Sequence, residues 1–193
     1  MGSKTLKINS KIRDMCFIAV FSAAAAVLAQ VQLPGPGGVP FTMQTFAVLL
    51  AGVVLGAKKG ALAIVIYVLL GAAGIPVFAG FTGGFGRIVG HTGGYILSFP
   101  VMALFAGIGS NLQNRLKNIW QKNAVLAGGI VFGTAINFLC GMVWGMFVLN
   151  INASAAFAGF VAPFIVTSAI QTVLAGGIGV SVKIILKKAQ VLL

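Results

Sequence analysis

The 193-residue sequence has almost no acidic side chains, since Asp14 is its single Asp or Glu against 13 lysines and arginines. One carboxylate cannot form the acid–base pair on which many hydrolytic enzymes depend. It also leaves the apolar segments without the Asp or Glu through which ion-driven transporters commonly couple. The sequence contains no Gly-Lys pair, and therefore no phosphate-binding loop for nucleotide hydrolysis. If the protein concentrates a solute, the energy has to come from another protein.

Metal-binding and redox side chains are equally scarce. His91 is the only histidine, and Cys16 and Cys140 are the only cysteines. Because the three lie far apart in the sequence, we expect no metal site and no cofactor, and we interpret the cysteines as small packing residues. We expect Asp14 to pair locally with Arg13. The sequence therefore predicts a protein that is not an enzyme.

Charged residues of either sign make up only 7% of the chain, whereas hydrophobic residues make up 59% and the mean hydropathy is +1.08. Soluble domains carry roughly 25% charged residues, so the composition predicts an integral membrane protein embedded in a lipid bilayer. The net charge of +12 would suit a nucleic-acid-binding protein. The basic residues, however, occur in small clusters between apolar runs, and we therefore expect no nucleic-acid partner.

Six apolar segments approach the length of about 20 residues that a membrane-spanning helix needs. They run from about Met15 to Leu33, Phe41 to Leu55, Ala61 to Ile75, Gly94 to Leu112, Ala124 to Leu149 and Phe157 to Leu186. The sequence therefore predicts an all-α protein with six transmembrane helices in a single domain, residues 1–193. The first segment follows a basic start, as a signal peptide does, but a poor cleavage site after it favours a retained helix.

The basic residues divide unequally between the two sides of such a bundle. With the N-terminus inside, 12 of them lie on the inner side and one on the outer side. Lysines and arginines favour the cytoplasmic side of membrane proteins, so both termini are predicted to be cytoplasmic. The inner group is Lys4, Lys7, Lys11, Arg13, Lys58, Lys59, Arg115, Lys117, Lys122, Lys183, Lys187 and Lys188. The single outer residue is Arg87.

Arg87 lies in the glycine-rich stretch GFTGGFGRIVGHTGGY, residues 80–95, which forms the predicted external loop between the third and fourth spans. One interpretation places this arginine among lipid headgroups. The other is a site for a small anion, because a guanidinium group pairs bidentately with a carboxylate. Glycines such as Gly80 let a loop bend closely over a ligand.

Three motifs between Val39 and Pro100 resemble those of a known family: PFTMQT, GIPVFAGFTGGFG and TGGY. Together they resemble the BioY family, the biotin-binding S-components of energy-coupling factor (ECF) transporters. The resemblance implies a protein of the bacterial cytoplasmic membrane that captures biotin from outside. Biotin would then be delivered through a transmembrane coupling protein and two ABC-type ATPases. The alternatives are an S-component for another small anionic vitamin and a structural membrane protein.

Biotin needs a cation for its carboxylate, apolar surface for its chain and thioether ring, and hydrogen bonds for its urea. Arg87 is the candidate for the carboxylate, beneath the loop that contains Gly80. Aromatic residues supply rigid apolar surface, and the candidates are Phe41, Phe78, Tyr95 and Trp144. The polar candidates for the urea within the spans are Gln44 and Asn137, for which bonding between helices is the alternative.

The sixth span departs from the family pattern. Many members carry an Asp and a Lys three residues apart after a proline, whereas this sequence has Ser168 and Gln171 at those positions. Both side chains form hydrogen bonds without carrying a charge. We therefore expect Ser168 and Gln171 to hold the urea without ions.

The first span contains alanines at small-xxx-small spacing, namely Ala19 with Ala23 and Ala25 with Ala29. Such spacing lets helices approach closely in lipid. Packing within the protein is one interpretation. The family resemblance implies instead that this alanine face docks onto the coupling protein.

Overall fold

The computed structural model describes residues 10–35 and 38–189, most of which are helical. Lys4 and Lys7 of the predicted inner group lie outside these residues. The helices are α1 (Ser10–Leu28), α2 (Gln44–Leu55), α3 (Ala57–Ala72), α4 (Phe85–Val89), α5 (Gly93–Gln113), α6 (Ile119–Leu149), α7 (Ala153–Ala156) and α8 (Ile165–Lys188). Two short antiparallel strands, β1 (Gln32–Leu33) and β2 (Phe41–Thr42), join α1 to α2.

Three helical stretches of the described chain are long and apolar enough to cross a membrane: Gly93–Gln113, Ile119–Leu149 and Ala153–Lys188. They correspond to the fourth, fifth and sixth predicted segments. The first three segments also fold as helices, α1, α2 and α3, which do not meet that standard of length and hydropathy. The predicted first segment extends to Leu33, but α1 ends at Leu28 because the residues that follow pair with β2.

Helix α2 lies at the centre of the fold. Between Phe46 and Leu55 every side chain except Leu50 is buried, and the helix packs against α1, α3, α5 and α8. A helix that is apolar on all sides is typical of a buried element. Gly52 lies directly against the backbone of Ala103 on α5, so the two helices approach more closely than a side chain would allow.

The outward faces of the long helices are apolar. Phe147 is 83% exposed, Val173 73% and Leu139 61%. Monomeric soluble proteins rarely expose large contiguous apolar patches. Such a surface is instead suited to contact with lipid chains. The exterior therefore agrees with the predicted membrane environment.

The last helical stretch is irregular near its start. A π-helix, Phe157–Val161, and a 3-10 helix, Ala162–Phe164, connect α7 to α8. Pro163 lies in the 3-10 turn, and proline removes a backbone donor from a helix. The regular hydrogen-bond ladder is therefore interrupted where this stretch passes the cavity described below.

The stretch between α3 and α5, predicted as a glycine-rich loop, contains local structure. Phe78 and Thr82 form an antiparallel bridge, and Gly80 between them has a φ of 72°, in the left-handed region that glycine adopts most readily. The short helix α4 follows and carries Arg87. Gln30, just beyond the end of α1, accepts a hydrogen bond from the Phe81 N–H at 2.8 Å and donates one to the Phe78 carbonyl at 3.2 Å.

Asp14 pairs with a residue on another helix as well as with its neighbour. Its carboxylate lies 2.7 Å from Lys59 Nζ on α3 and 3.9 Å from Arg13. The predicted local pair is therefore present, but the shorter ion pair joins α1 to the start of α3. This use of the single acidic residue fixes one end of α1.

The four alanines of the predicted docking face do not share one environment. Ala19 and Ala23 are exposed, whereas Ala25 is 1% exposed and Ala29 is fully buried within the fold. The prediction of a docking surface is therefore wrong for Ala25 on α1 and for Ala29 just beyond it, because both residues face the interior. A docking role stays a prediction for Ala19 and Ala23.

Candidate functional site

A cavity of about 360 Å³ lies beneath the connection between α3 and α5. Its walls come from β2, α2, α4, α5, α6 and α8, and the volume is within the range of small-molecule sites. Eight of the ten residues that the sequence proposed for ligand binding line it: Phe41, Gln44, Phe78, Arg87, Tyr95, Asn137, Ser168 and Gln171. The fold thus brings together residues that are up to 130 positions apart in the chain.

Among the described residues that line the cavity, Arg87 is the one that is basic. Its Nε donates a hydrogen bond of 2.8 Å to the Thr82 hydroxyl, whose own proton goes to the Ala79 carbonyl. The two terminal nitrogens of the guanidinium have no hydrogen-bond partner among residues 10–35 and 38–189. The only Asp or Glu in the chain is engaged by Lys59 on α3. Arg87 is therefore oriented by Thr82 and keeps its bidentate edge unused.

Aromatic side chains form the apolar walls. Phe41 and Phe164 have ring centroids 4.6 Å apart, and Phe78 meets Tyr67 edge-to-face at 5.6 Å. Tyr95 stacks against Phe160, and its hydroxyl donates to the Phe160 backbone carbonyl in the π-helix. Tyr95 therefore presents its ring to the cavity while its hydroxyl is already satisfied.

Gln44 is buried at the start of α2, and both ends of its amide are engaged. Nε2 donates to the Tyr67 hydroxyl at 2.6 Å, and Oε1 accepts from the Thr42 hydroxyl at 3.0 Å. A ligand would have to share these bonds or replace them. The geometry favours a role for Gln44 in fixing the cavity wall.

Asn137 on α6 is buried and bonds to α5. Its Nδ2 donates to the Tyr95 carbonyl at 3.0 Å and to the Ser98 hydroxyl at 2.7 Å. Bonding between helices, the alternative interpretation of this residue, is thus present in the structure. The amide oxygen takes no part in these bonds, so one acceptor remains at the cavity wall.

Ser168 and Gln171 have different surroundings although both lie on α8. Gln171 Nε2 donates to the Thr42 carbonyl at 2.8 Å, and its Oε1 accepts from the Phe46 N–H at 3.1 Å. Ser168 is buried, and its hydroxyl has no hydrogen-bond partner in the described part of the chain. Both ends of the Gln171 amide are therefore engaged by the protein, whereas the Ser168 hydroxyl is not.

Gly80 and Trp144 do not line the cavity. Gly80 forms the tight turn between Phe78 and Thr82, and so shapes the connection above the site. Trp144 Nε1 donates to the Gly90 carbonyl at 2.9 Å, which fastens the end of α4 to α6. Both residues hold the α3–α5 connection in place from outside the cavity.

Several lining residues were not predicted from the sequence: Thr42, Thr45, Thr82, Thr92, Phe99, Phe138, Phe164 and Thr167. Thr42 and Thr45 belong to the motif PFTMQT, and Thr92 begins the motif TGGY. Those motifs contained the available signal. There was no signal in the sequence for Phe138 and Phe164, because an aromatic residue in an apolar span can face either lipid or a cavity.

Long helices with apolar exteriors around a cavity of ligand size are typical of integral membrane proteins that bind small molecules. This chain belongs to the BioY family, whose family model matches residues 3–188. It is 40% identical over 161 residues to the "Probable biotin transporter BioY" of Pyrococcus horikoshii, covering 83% of this chain and 90% of that protein. It is 38% identical over 177 residues to the "Biotin transporter BioY" of Thermotoga maritima, covering 89% and 96%.

A solved structure shares the fold. The crystal structure of the S-component for biotin from an ECF-type ABC transporter matches with a TM-score of 0.77. The match covers 91% of this chain and 93% of that one at 23% sequence identity. At that identity the similarity shows the arrangement of the helices, and the role of each side chain has to be argued from this structure.

Proposed function

We propose that this protein binds biotin at the cavity beneath α4 and acts as the substrate-specific S-component of an ATP-driven ECF uptake transporter. The observation that carries the proposal is Arg87, whose terminal guanidinium nitrogens have no partner at the wall of an otherwise aromatic and neutral cavity. The names of the relatives in the BioY family support biotin as the ligand.

Each part of biotin finds a suitable group in the cavity. The carboxylate would pair with Arg87, in the bidentate manner that guanidinium groups favour. The chain and thioether ring would lie against Phe41, Phe78 and Tyr95. The urea would bond to the Ser168 hydroxyl and to the unused amide oxygen of Asn137, since one is a donor and acceptor and the other an acceptor. In this proposal Gln44 and Gln171 hold the walls.

The proposed topology follows the distribution of charge. Six spans in one domain of residues 1–193 would place both termini in the cytoplasm and the α3–α5 connection, with Arg87, on the outside. Three stretches long enough to cross a membrane, the shared fold of an S-component and the twelve-to-one division of basic residues support this arrangement. The protein would then reside in the cytoplasmic membrane with its cavity open to captured ligand from outside.

The proposed partners are a transmembrane coupling protein and two ABC-type ATPases. The sequence has no Gly-Lys pair and a single carboxylate, so nucleotide hydrolysis and ion coupling would have to be supplied by other chains. The exposed side of α1 around Ala19 and Ala23 is the proposed contact with the coupling protein. No cofactor is required, because biotin is the transported ligand.

Ligand identity can be tested on the purified protein in detergent. We expect mass spectrometry of extracted material to find biotin, and calorimetric titration with biotin to give one site per chain. Arg87→Ala should weaken this binding, whereas Arg115→Ala, an exposed arginine between α5 and α6, should not. Another anionic vitamin in the extract, with no response to biotin, would favour a different S-component. No small molecule and no binding would favour a structural membrane protein.

A further inference from the structure

A second, smaller cavity lies at the other end of the bundle from Arg87. It has a volume of about 90 Å³, well above the roughly 15 Å³ that one water molecule needs. The junction of α2 and α3, the end of α5 and the end of α8 surround it. Its polar lining consists of Lys59, Lys183, Lys187, Asn111 and Asn114.

Lys183 is unusual because it is buried, and its hydrogen-bond partners within the described part of the chain are neutral. The residue is 8% exposed, and its ammonium donates to the Ser110 carbonyl at 3.1 Å and to the Ser110 hydroxyl. That hydroxyl donates in turn to the Val53 carbonyl of α2 at 2.6 Å. A buried charge is costly unless an opposite charge accompanies it. An ammonium group has three N–H donors, so one donor of Lys183 is left for a further partner.

The protein itself offers no carboxylate side chain for this role. The single acidic residue, Asp14, pairs with Lys59 Nζ at 2.7 Å and does not line the cavity. Lys187 lies one turn beyond Lys183 on α8 and is exposed. Three lysines against one carboxylate leave the cavity with an excess of positive charge, and two asparagine amides supply further donors.

We propose that this cavity binds the phosphate group of an anionic phospholipid. Basic pockets between membrane helices on the cytoplasmic side are suited to such headgroups, and this end of the bundle is the cytoplasmic one in the topology proposed above. We favour a lipid over free phosphate because exposed apolar residues adjoin two of the lining residues in the sequence. Leu112 beside Asn111 is 42% exposed, and Ile184 beside Lys183 is 49% exposed, so acyl chains would find apolar surface there.

The test uses the full-length protein in nanodiscs of phosphatidylcholine with and without phosphatidylglycerol, and native mass spectrometry of the lipids retained in detergent. We expect the wild type to retain phosphatidylglycerol selectively and to unfold at a higher temperature in its presence. Lys187→Gln should reduce phosphatidylglycerol affinity at least about tenfold, the loss expected for one hydrogen bond between charged groups. Lys183→Met should reduce it more, because it removes the buried ammonium.

Lys188→Gln is the matched control. It removes the same charge from the neighbouring residue, which is exposed and does not line the cavity. Because Lys187→Gln alters only an exposed side chain, the test stands even if Lys183→Met fails to fold. Equal losses for Lys187→Gln and Lys188→Gln would overturn the proposal, since general surface charge would explain the binding.

Inorganic phosphate added to phosphatidylcholine nanodiscs distinguishes the two sources of the anion. Binding of phosphate that is lost in Lys187→Gln, with no selectivity for phosphatidylglycerol, would retain the anion site but assign it to a free anion. Binding of neither probe would overturn the site. Biotin titration of the same variants should give unchanged affinity, so failure of this proposal and failure of biotin binding are separate results.

Discussion

The side-chain amide of Gln171 bonds to the backbone carbonyl of Thr42 across a separation of 129 residues, at 2.8 Å. The same side chain accepts the Phe46 N–H in the first turn of α2. That turn has no side-chain cap of its own from the preceding residue, Met43. Gln171 therefore completes the start of α2 from a different helix, and it joins α8 to the strand that borders the ligand cavity.

Removing the Gln171 amide should lower the stability of the protein. Gln171→Ala deletes two hydrogen bonds, each worth about 0.5–1.5 kcal/mol net, so we expect a loss of about 1–3 kcal/mol in the free energy of unfolding. Denaturation in detergent, followed by circular dichroism, would measure it. Gln113→Ala, at the end of α5, is the control and should be nearly neutral. Unchanged stability in Gln171→Ala would contradict the bracing role.

Ser168 should behave in the opposite way. Its hydroxyl is buried but has no partner in the described structure, so Ser168→Ala should leave the free energy of unfolding almost unchanged. If the hydroxyl bonds to the urea, biotin affinity should fall about two- to twelvefold, the equivalent of one hydrogen bond. Calorimetric titration measures this, with Ser181→Ala on the far part of α8 as control. Equal biotin affinity in Ser168→Ala and the wild type would place the urea elsewhere.

Arg87 can be tested with two ligands that differ only in charge. Losing a hydrogen bond to a charged group costs about 1.5–3 kcal/mol of binding free energy, so Arg87→Ala should weaken biotin binding about 10- to 150-fold. Binding of the neutral biotin carboxamide should hardly change. Arg87→Lys should recover only part of the affinity, since lysine keeps the charge but cannot pair bidentately with a carboxylate as a guanidinium does. If the affinities for both ligands fall equally, Arg87 shapes the α3–α5 connection without binding the carboxylate.

The exposed and buried alanines of α1 predict different defects. Ala23→Trp should leave folding and biotin binding intact but reduce co-purification with the coupling protein and biotin uptake. Ala25→Trp should instead lower the thermal stability of the solitary protein, because overpacking a well-filled interior costs about 1–3 kcal/mol. Co-purification and thermal unfolding measured side by side would separate the two. Full complex formation by Ala23→Trp would locate the coupling interface elsewhere.

Biotin affinity should change little between about pH 5.5 and 9. The groups proposed to hold the urea, the Ser168 hydroxyl and the Asn137 amide, do not ionise in this range. A ligand carboxylate resembling that of glutamate ordinarily titrates below it. Titration across this range measures the dependence. Histidine is the usual switch near neutrality, so a large step that persists in His91→Gln would show that the polar groups of the site are misassigned.

The positions of the helices were largely predictable because hydropathy and chain breaks mark them. The fourth and fifth segments match α5 and α6 within a few residues. The irregular start of the last stretch was not predicted, since hydropathy is blind to whether backbone bonds follow an α, π or 3-10 pattern. The short helix α4 was also missed, because its glycines indicated a loop. The direction in which each alanine of α1 faces depends on its neighbours, and spacing alone did not reveal it.

For the site, chemistry was easier to predict than placement. Arg87 stood out because its charge opposed the pattern of every other basic residue, and eight proposed residues do line one cavity. What spacing could not tell was which amides are already engaged. The side-chain amides of Gln44 and Gln171 form hydrogen bonds with other parts of the protein, whereas the Ser168 hydroxyl forms none in the described structure. That distinction depends on distances between segments far apart in the chain.

Gln30 gives helix α1 a mechanical connection to the ligand cavity. One side chain holds the Phe81 N–H and the Phe78 carbonyl, and the Phe78 ring is part of the cavity wall. At its other end the helix is tied to α3 through the ion pair between Asp14 and Lys59. A force applied to the exposed side of α1 would therefore reach the backbone of Phe78 through hydrogen bonds. The end of α1 and the wall of the cavity are thus linked through a single glutamine side chain.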